Sequence, residues 1–322
     1  MSEGSDTLKP EHLANVKGKV KKSKTDSTVK AYTSDWADFQ IWCEDKGYSY
    51  LPASPQIVAG YISVLADAPD DRKRKALSTI DRRLAAIRFF HRNHGYSNPC
   101  DDPGVRLTRD GIHVERAEEH AKTKTPMIDQ KQEIRTFHIH EIIDGLNMTE
   151  LRDVRDKAIL LLGFNSGMRR SELAGIDLAD ITHASNGFSI LKRTSKTDKQ
   201  GRGHIVEIGR TSNADTCAVT ATYQWLDDAG ISKGALFRRI YPDGQVGDTA
   251  LSGQTIAAVV KKHVATISGT AGISPKNFAG HSMRRGFVTQ AIRQQISTSK
   301  ITQQTGHTSD HGLAPYLSLI HI

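Results

Sequence analysis

Cysteine is scarce: Cys43, Cys100 and Cys217 are the 3 in a chain of 322 residues, odd in number and far apart. There is no Cys-x-x-Cys pair, so neither a disulfide framework nor a zinc module is indicated. A reducing, intracellular setting fits that usage. Aromatic residues make up 6% and hydrophobic residues 37%, which suits helical domains with modest cores. No apolar run is long enough to span a bilayer, so no membrane partner is expected. The segment Met1–Lys9 is polar and lacks the apolar core of a signal peptide. Internal repeats and heptad arrays are absent. So are a Gly-x-x-x-x-Gly-Lys-Ser/Thr loop and a His-Glu-x-x-His pair, and nothing marks an ATPase or a zinc peptidase.

What is present is charge. The formal net charge is +8, and a basic balance favours a polyanion such as DNA, RNA or an anionic surface, although charge alone does not decide between that and a basic soluble enzyme. The length suits about two domains of roughly 150 residues. Residues 1–25 carry Lys17, Lys19, Lys21, Lys22 and Lys24 and read as a basic arm. From Ser27, the apolar spacing of Val29, Tyr32, Trp36, Phe39 and Cys43 predicts a helix ended by Gly47. Ser54-Pro55 reads as an N-cap and first turn, and a third helix is expected from Ser78 to Gly95. Asp102-Pro103 opens a shorter fourth helix. Arg72, Lys73, Arg74 and Lys75 form a basic stretch, Lys73, Arg74, Arg82 and Arg83 fall off the apolar stripe, and all six are candidates for DNA contact. Glu115 to Arg135 is polar, without sustained apolar period, and reads as a linker.

Beyond it, helices are expected near His138–Leu146 and Arg152–Phe164. They are followed by Gly167-Met168-Arg169-Arg170-Ser171-Glu172, where Gly167 breaks the helix. Glu172, three beyond Arg169, is placed to hold its guanidinium. Phe188–Arg193 and His204–Ile208 read as strands around a polar loop that includes Lys196. Helices at about Cys217–Ala229 and Ser252–Thr266 flank a short strand at Leu236–Ile240. The chain then reads Gly280-His281-Ser282-Met283-Arg284-Arg285, then Gly306-His307, then Pro315-Tyr316. His281 and Arg284 share a helix face, and Gly280 lets the backbone turn tightly before that helix. A helix N-terminus there favours an anion. An imidazole, a guanidinium and a phenol can together hold and attack a phosphate.

Taken in order, these motifs resemble those of the tyrosine recombinases, the family that contains Cre, the Xer proteins and the phage integrases. The matching pieces are Gly167 to Glu172, Ser195-Lys196-Thr197-Asp198, His281 to Arg284, Gly306-His307, and Tyr316, nine after His307. The resemblance covers nearly everything after the first 25 residues. It implies a mainly α fold with a small β-sheet: a helical, SAM-like core-binding domain at 26–114, a linker at 115–135 and an α+β catalytic domain at 136–322. By the same resemblance Arg169 and Arg284 are the catalytic arginines and Glu172 supports the first of them. Lys196 is the general acid, His281 belongs to the His-x-x-Arg pair, His307 fills the His-or-Trp position and Tyr316 is the nucleophile. Arg170 and Arg285 are the adjacent alternatives to the two arginines.

The activity implied is site-specific recombination through a 3′-phosphotyrosyl link, without metal, ATP or a small-molecule cofactor. The implied partner is a double-stranded DNA recombination site held by a homotetramer, in an intracellular, DNA-associated setting such as a mobile element. A catalytically inactive DNA-binding relative and a type IB topoisomerase are the competing readings. The intact residue set argues against the first, and the four amino-terminal helices against the second. Pro315 directly precedes Tyr316, so the tyrosine helix is expected to begin near Leu313 or to be kinked. Leu317–Ile322 is expected to be too short for the helix that in relatives packs on a neighbouring subunit.

Overall fold

Thr25 and Ser54 set the first two helices by accepting hydrogen bonds from the N–H groups of Thr28 and Ile57 at their N-caps. A computed structural model describes residues 25–68, 74–123, 132–193 and 203–306. The chain divides into two units, Met1–Asp129 and Gln130–Ile322.

The described part of the first unit is helical: α1 Asp26–Asp45, α2 Pro55–Ala66, α3 Leu77–Asn93 and α4 Pro103–Thr123. Their apolar stripes meet in one core that includes Trp36, Phe39, Cys43, Tyr61, Ile62, Ile80, Ile87, Val105 and Ile112. Trp36 stacks on Phe90 with ring centroids 4.7 Å apart. His91 is fully buried and satisfied at both nitrogens. Nε2 accepts from the Ala53 N–H at 2.9 Å, and Nδ1 donates to the Ile87 carbonyl at 2.8 Å. The expected short fourth helix is instead 21 residues long. Contacts from elsewhere hold its polar end: Arg116 donates to the Ala66 carbonyl at 3.0 Å, and Arg74 reaches both that carbonyl and Glu119 at 3.0 Å.

In the second unit come α5 Thr136–Asp144, α6 Leu151–Ser166, α7 Arg170–Ala174, α8 Ala218–Asp228, α9 Gly253–Thr266, α10 Gly280–Arg293 and α11 Thr298–Thr305. Strands β1 Ile181–Ala184, β2 Gly187–Lys192 and β3 His204–Gly209 form an antiparallel sheet in that order, with Phe188 opposite Ile208 and Lys192 opposite His204. A second ribbon pairs β4 Arg238–Ile240 with β5 Val246–Ala250. β1 and β5 were not expected from the sequence. α6 is buried on nearly every side, as a central helix must be. Its Asp156 is buried and bonded to His263 at 2.8 Å and to Arg155 at 2.8 Å.

Residues 132–135 belong to this unit rather than to the linker that the sequence suggested. The Gln132 N–H bonds the Asn277 carbonyl at 2.6 Å, the Ile134 N–H bonds that of Ser282 at 3.1 Å, and Ile134 is fully buried. The chain crosses α10 so closely that a Cβ on Gly286 would stand 1.9 Å from the Ile134 carbonyl oxygen.

Candidate active site

A left-handed turn brings the first arginine into place. α6 ends at Gly167 with φ +60°, and a Cβ there would lie 2.7 Å from the Phe287 ring and 3.0 Å from the Thr305 methyl, so both backbone and packing require glycine. Arg169 is the N-cap of α7. Glu172 Oε2 accepts the Arg169 N–H at 2.8 Å, and Oε1 accepts Arg169 Nη1 at 2.7 Å. This carboxylate caps a helix and orients a guanidinium at once. Burial pulls the Glu172 pKa upward, but the Arg169 N–H, the nearby Lys192 charge and the Arg169 guanidinium hold it below its usual range.

α10 supplies the second pair. It starts at Gly280, but not because the backbone needs an unusual turn there. A Cβ on Gly280 would stand 2.7 Å from Arg170 Cβ and 2.9 Å from its Cδ, so the glycine makes room for the Arg170 stem. His281 is exposed in the first turn. Solvent reaches the ring, while the atoms crowding its inner side, and then Arg170, Arg284 and Arg169, push its pKa below the usual value. Arg284 is buried, and its Nη1 donates to the carbonyls of Gly167 and Thr305, each at 2.8 Å. α11 ends at Gly306 with φ +70°, immediately before His307.

Arg169, Glu172, His281 and Arg284 therefore converge. Of the adjacent alternatives, Arg170 lies beside His281, whereas Arg285 lines a groove with Glu133, Phe137 and Arg293. Lys196, His307 and Tyr316 lie outside the described residues. The sequence reading passed over Lys192, which the structure puts inside the site. Its side chain is 4% exposed, with Nζ 3.4 Å from Glu172 Oε2. The signal that reveals it is the period of two along β2: Phe188, Ile190 and Lys192 are all buried on one face.

Among the proposed DNA-contacting cations, Arg72 and Lys73 lie outside the described residues. Arg83 is not on the surface as expected. It is buried, bonded to Tyr61 and Asp38 and 3.8 Å from Asp35. Arg82 is paired with Asp35 at 2.7 Å, and Arg74 with Glu119 at 3.0 Å. Lys75 is half-buried, its N–H bonded to the Leu65 carbonyl at 2.9 Å. Exposed cations occur instead at Arg88 and Arg106, beside a cavity of about 460 Å³ also lined by Arg109.

A metal-ligating type of cluster sits elsewhere, at Asp153, Asp156 and His263. Lys262 Nζ is 3.3 Å from each of its two carboxylates, so an internal cation already bridges them. No helix among the described residues is long and apolar enough to cross a membrane.

Comparison with known proteins adds independent findings. The family model described as "Phage integrase family" matches residues 132–319. An integrase/recombinase XerD homolog of Selenomonas ruminantium is 38% identical over 304 residues, covering 94% of this chain and 84% of that protein. Recombinase Cre of Escherichia phage P1 is 22% identical, covering 91% of this chain and 84% of that protein. The structure of a lambda integrase tetramer bound to a Holliday junction aligns with a TM-score of 0.54 at 14% identity, covering 97% of this chain and 78% of that one.

Proposed function

Because the chain belongs to the phage integrase family of tyrosine recombinases, we propose that Tyr316 attacks a DNA phosphodiester and leaves a 3′-phosphotyrosyl link. The protein is an enzyme of site-specific recombination that cleaves and rejoins DNA.

A phosphodiester is anionic and repels a nucleophile, and its transition state gathers further negative charge. Arg169 and Arg284 neutralise the non-bridging oxygens, and Glu172 holds Arg169 ready for that task. Tyrosine, with an ordinary pKa of about 10, must lose its proton as it attacks. His281, whose pKa is lowered by burial of its inner side and then by its cationic neighbours, accepts that proton. The Tyr316 oxygen–phosphorus bond forms, the phosphorus–O5′ bond breaks, and Lys196 protonates the departing O5′. The phosphate stays esterified throughout, so rejoining runs the same steps backward without ATP. His307 follows the Thr305 carbonyl held by Arg284 and completes the phosphate shell.

The observation that carries this reading is the Arg284 guanidinium, which ties the Gly167 turn before Arg169 to the helix end before His307. The substrate is a double-stranded DNA site, and the working form is a homotetramer. The fold likeness to a lambda integrase that forms a tetramer on a Holliday junction supports that assembly.

The test is covalent trapping on a genomic DNA library, with sequencing of the trapped fragments and then strand exchange on the site found. Tyr316→Phe should bind that site normally and form no adduct. Adduct that persists in Tyr316→Phe moves the nucleophile elsewhere. Relaxation of arbitrary supercoiled plasmid without strand exchange would make the enzyme a topoisomerase.

A further inference from the structure

We propose that Lys192 is a positioning residue of this site: its ammonium fixes the Glu172 carboxylate that presents Arg169 to the phosphate, and seats the Gly306 turn leading into His307. The proposal rests on the recombinase reading above. Lys192 occupies the third inward position of β2, after Phe188 and Ile190, where an apolar residue would continue the core. A lysine buried to that degree needs a partner, because an isolated buried charge is costly. Its partner is Glu172 Oε2 at 3.4 Å, the same oxygen that accepts the Arg169 N–H at 2.8 Å. Glu172 is thus held from both sides, by Arg169 of its own helix and by Lys192 of the sheet.

The charged and titratable groups that face the Lys192 ammonium come from three further elements. They are Arg169 and Glu172 of the α7 segment, His204 directly opposite on β3, and Arg284 of α10. At the end of α11, a Cβ on Gly306 would lie 3.1 Å from Lys192 Nζ. One ammonium therefore touches the carboxylate that aims Arg169 and underlies the backbone that delivers His307. Removing its charge frees the Glu172 carboxylate to rotate, and the Arg169 guanidinium moves with it. Burial lowers the Lys192 pKa while Glu172 raises it, and Arg284 and Arg169 lower it further, so the net direction is downward. Lys192 is distinct from Lys196 in role. The Lys192 ammonium is engaged with Glu172, 3.4 Å from its Oε2, whereas a proton donor must be free to meet the departing oxygen of the DNA.

The experiment measures single-turnover adduct formation by the full chain on its trapped site. One substrate carries the ordinary phosphodiester and the other a sulfur at the 5′ bridging position, a leaving group that needs no proton. Lys192→Met keeps the stem and removes the charge. It should slow adduct formation about a hundredfold on both substrates, the size of effect expected from a small misplacement of a catalytic group. Lys196→Ala, in contrast, should be slow only on the ordinary substrate. If Lys192 acts through Glu172, then Lys192→Met combined with Glu172→Gln should lose little more than the worse single variant. Rescue of Lys192→Met by sulfur would make Lys192 the proton donor and overturn the proposal, as would parent-like cleavage or fully additive losses.

Where Lys192→Met does not fold, Lys192→Arg decides. The cation stays, so part of the cleavage is retained on both substrates. Cleavage by Lys192→Arg that is lost on the ordinary substrate and restored by sulfur overturns the proposal. Failure of the recombinase reading itself shows separately, as the absence of any Tyr316-dependent adduct in the parent chain.

Discussion

Arg284 and Thr305 are joined across 21 residues by a 2.8 Å hydrogen bond from guanidinium to carbonyl, and the same nitrogen reaches the Gly167 carbonyl at the same distance. A buried guanidinium is thereby used as a clamp between the end of α6 and the end of α11. Both of those ends are left-handed turns at glycine, Gly167 two residues before Arg169 and Gly306 at the end of α11. The side chain proposed to meet the phosphate is thus also the one whose bonds hold these two turns together.

Arg284→Lys separates those two uses. Lysine keeps the charge but has no planar fork, so it cannot hold two carbonyls and a phosphate together. Adduct formation should fall about a hundred- to thousandfold, the range seen when one preorganised donor to a transition state is lost. The folded state should lose about 1–3 kcal/mol from a buried carbonyl left unsatisfied. Single-turnover cleavage and a denaturant melt read the two effects. Parent-like cleavage by Arg284→Lys would mean that the fork geometry is irrelevant.

Much of this could be read from the sequence, for reasons visible in particular residues. Ser54-Pro55 and Gly167 carry their cap chemistry in their own side chains or lack of one, so the helix boundaries there were legible. α4 beyond Glu115 was not, because its polar turns have no apolar period and are held by Arg74, Arg116 and the Ala66 carbonyl, partners distant in sequence. β1 was missed since three of its four residues are exposed, leaving no alternation to see. At the site, the three-residue spacing of Arg169 to Glu172 was readable as a guanidinium held by a carboxylate, and that of His281 to Arg284 as a shared helix face. The burial of Lys192 and Arg83 was not. Both cations look like surface residues until the carboxylates of Glu172, Asp35 and Asp38 arrive from elsewhere in the chain. Gly280 was found for the wrong reason, since only tertiary packing reveals the Arg170 stem that a Cβ would strike.

The buried His91 makes the first unit sensitive to acid. Burial drives its pKa below the usual 6.5, outweighing the bond to the Ile87 carbonyl. The native state therefore holds His91 neutral at pH values where the unfolded chain has taken up a proton. Stability contributed this way is complete above about pH 6.5 and is lost as pH falls from there toward the depressed native pKa. His91→Gln keeps a polar group and removes the titration. Unfolding free energy of the parent should fall more steeply between pH 6.5 and 5 than that of His91→Gln, by up to one proton in slope. Parallel curves for the two chains would show that another group controls the acid limb.

Among the described residues, the arginines of the first unit include two kinds, and DNA binding should report the division. Arg83 is 7% exposed and bonded to Tyr61 and Asp38, and Arg82 is committed to Asp35. A charge already neutralised within the fold releases few counterions when DNA arrives. Arg88 and Arg106 are exposed beside a cavity, and the ion pair of Arg109 with Asp81 lines the same cavity. Each phosphate contact contributes about 0.9 to the slope of log affinity against log salt on duplex DNA. Arg88→Ala and Arg106→Ala should therefore each flatten that slope by about one while leaving the melting temperature near the parent value. Arg83→Ala should do the reverse. It leaves the salt slope unchanged and costs the fold about 1–3 kcal/mol, because the buried Tyr61 hydroxyl loses its partner while Asp35 keeps Arg82 and Asp38 is exposed to water. Affinity against salt on the trapped site, together with a denaturant melt of each variant, separates the cases. A flattened slope in Arg83→Ala with unchanged stability would put Arg83 on the DNA and return the contact surface to the stretch around Arg82. An unchanged slope in both Arg88→Ala and Arg106→Ala would remove the cavity face from the contact surface.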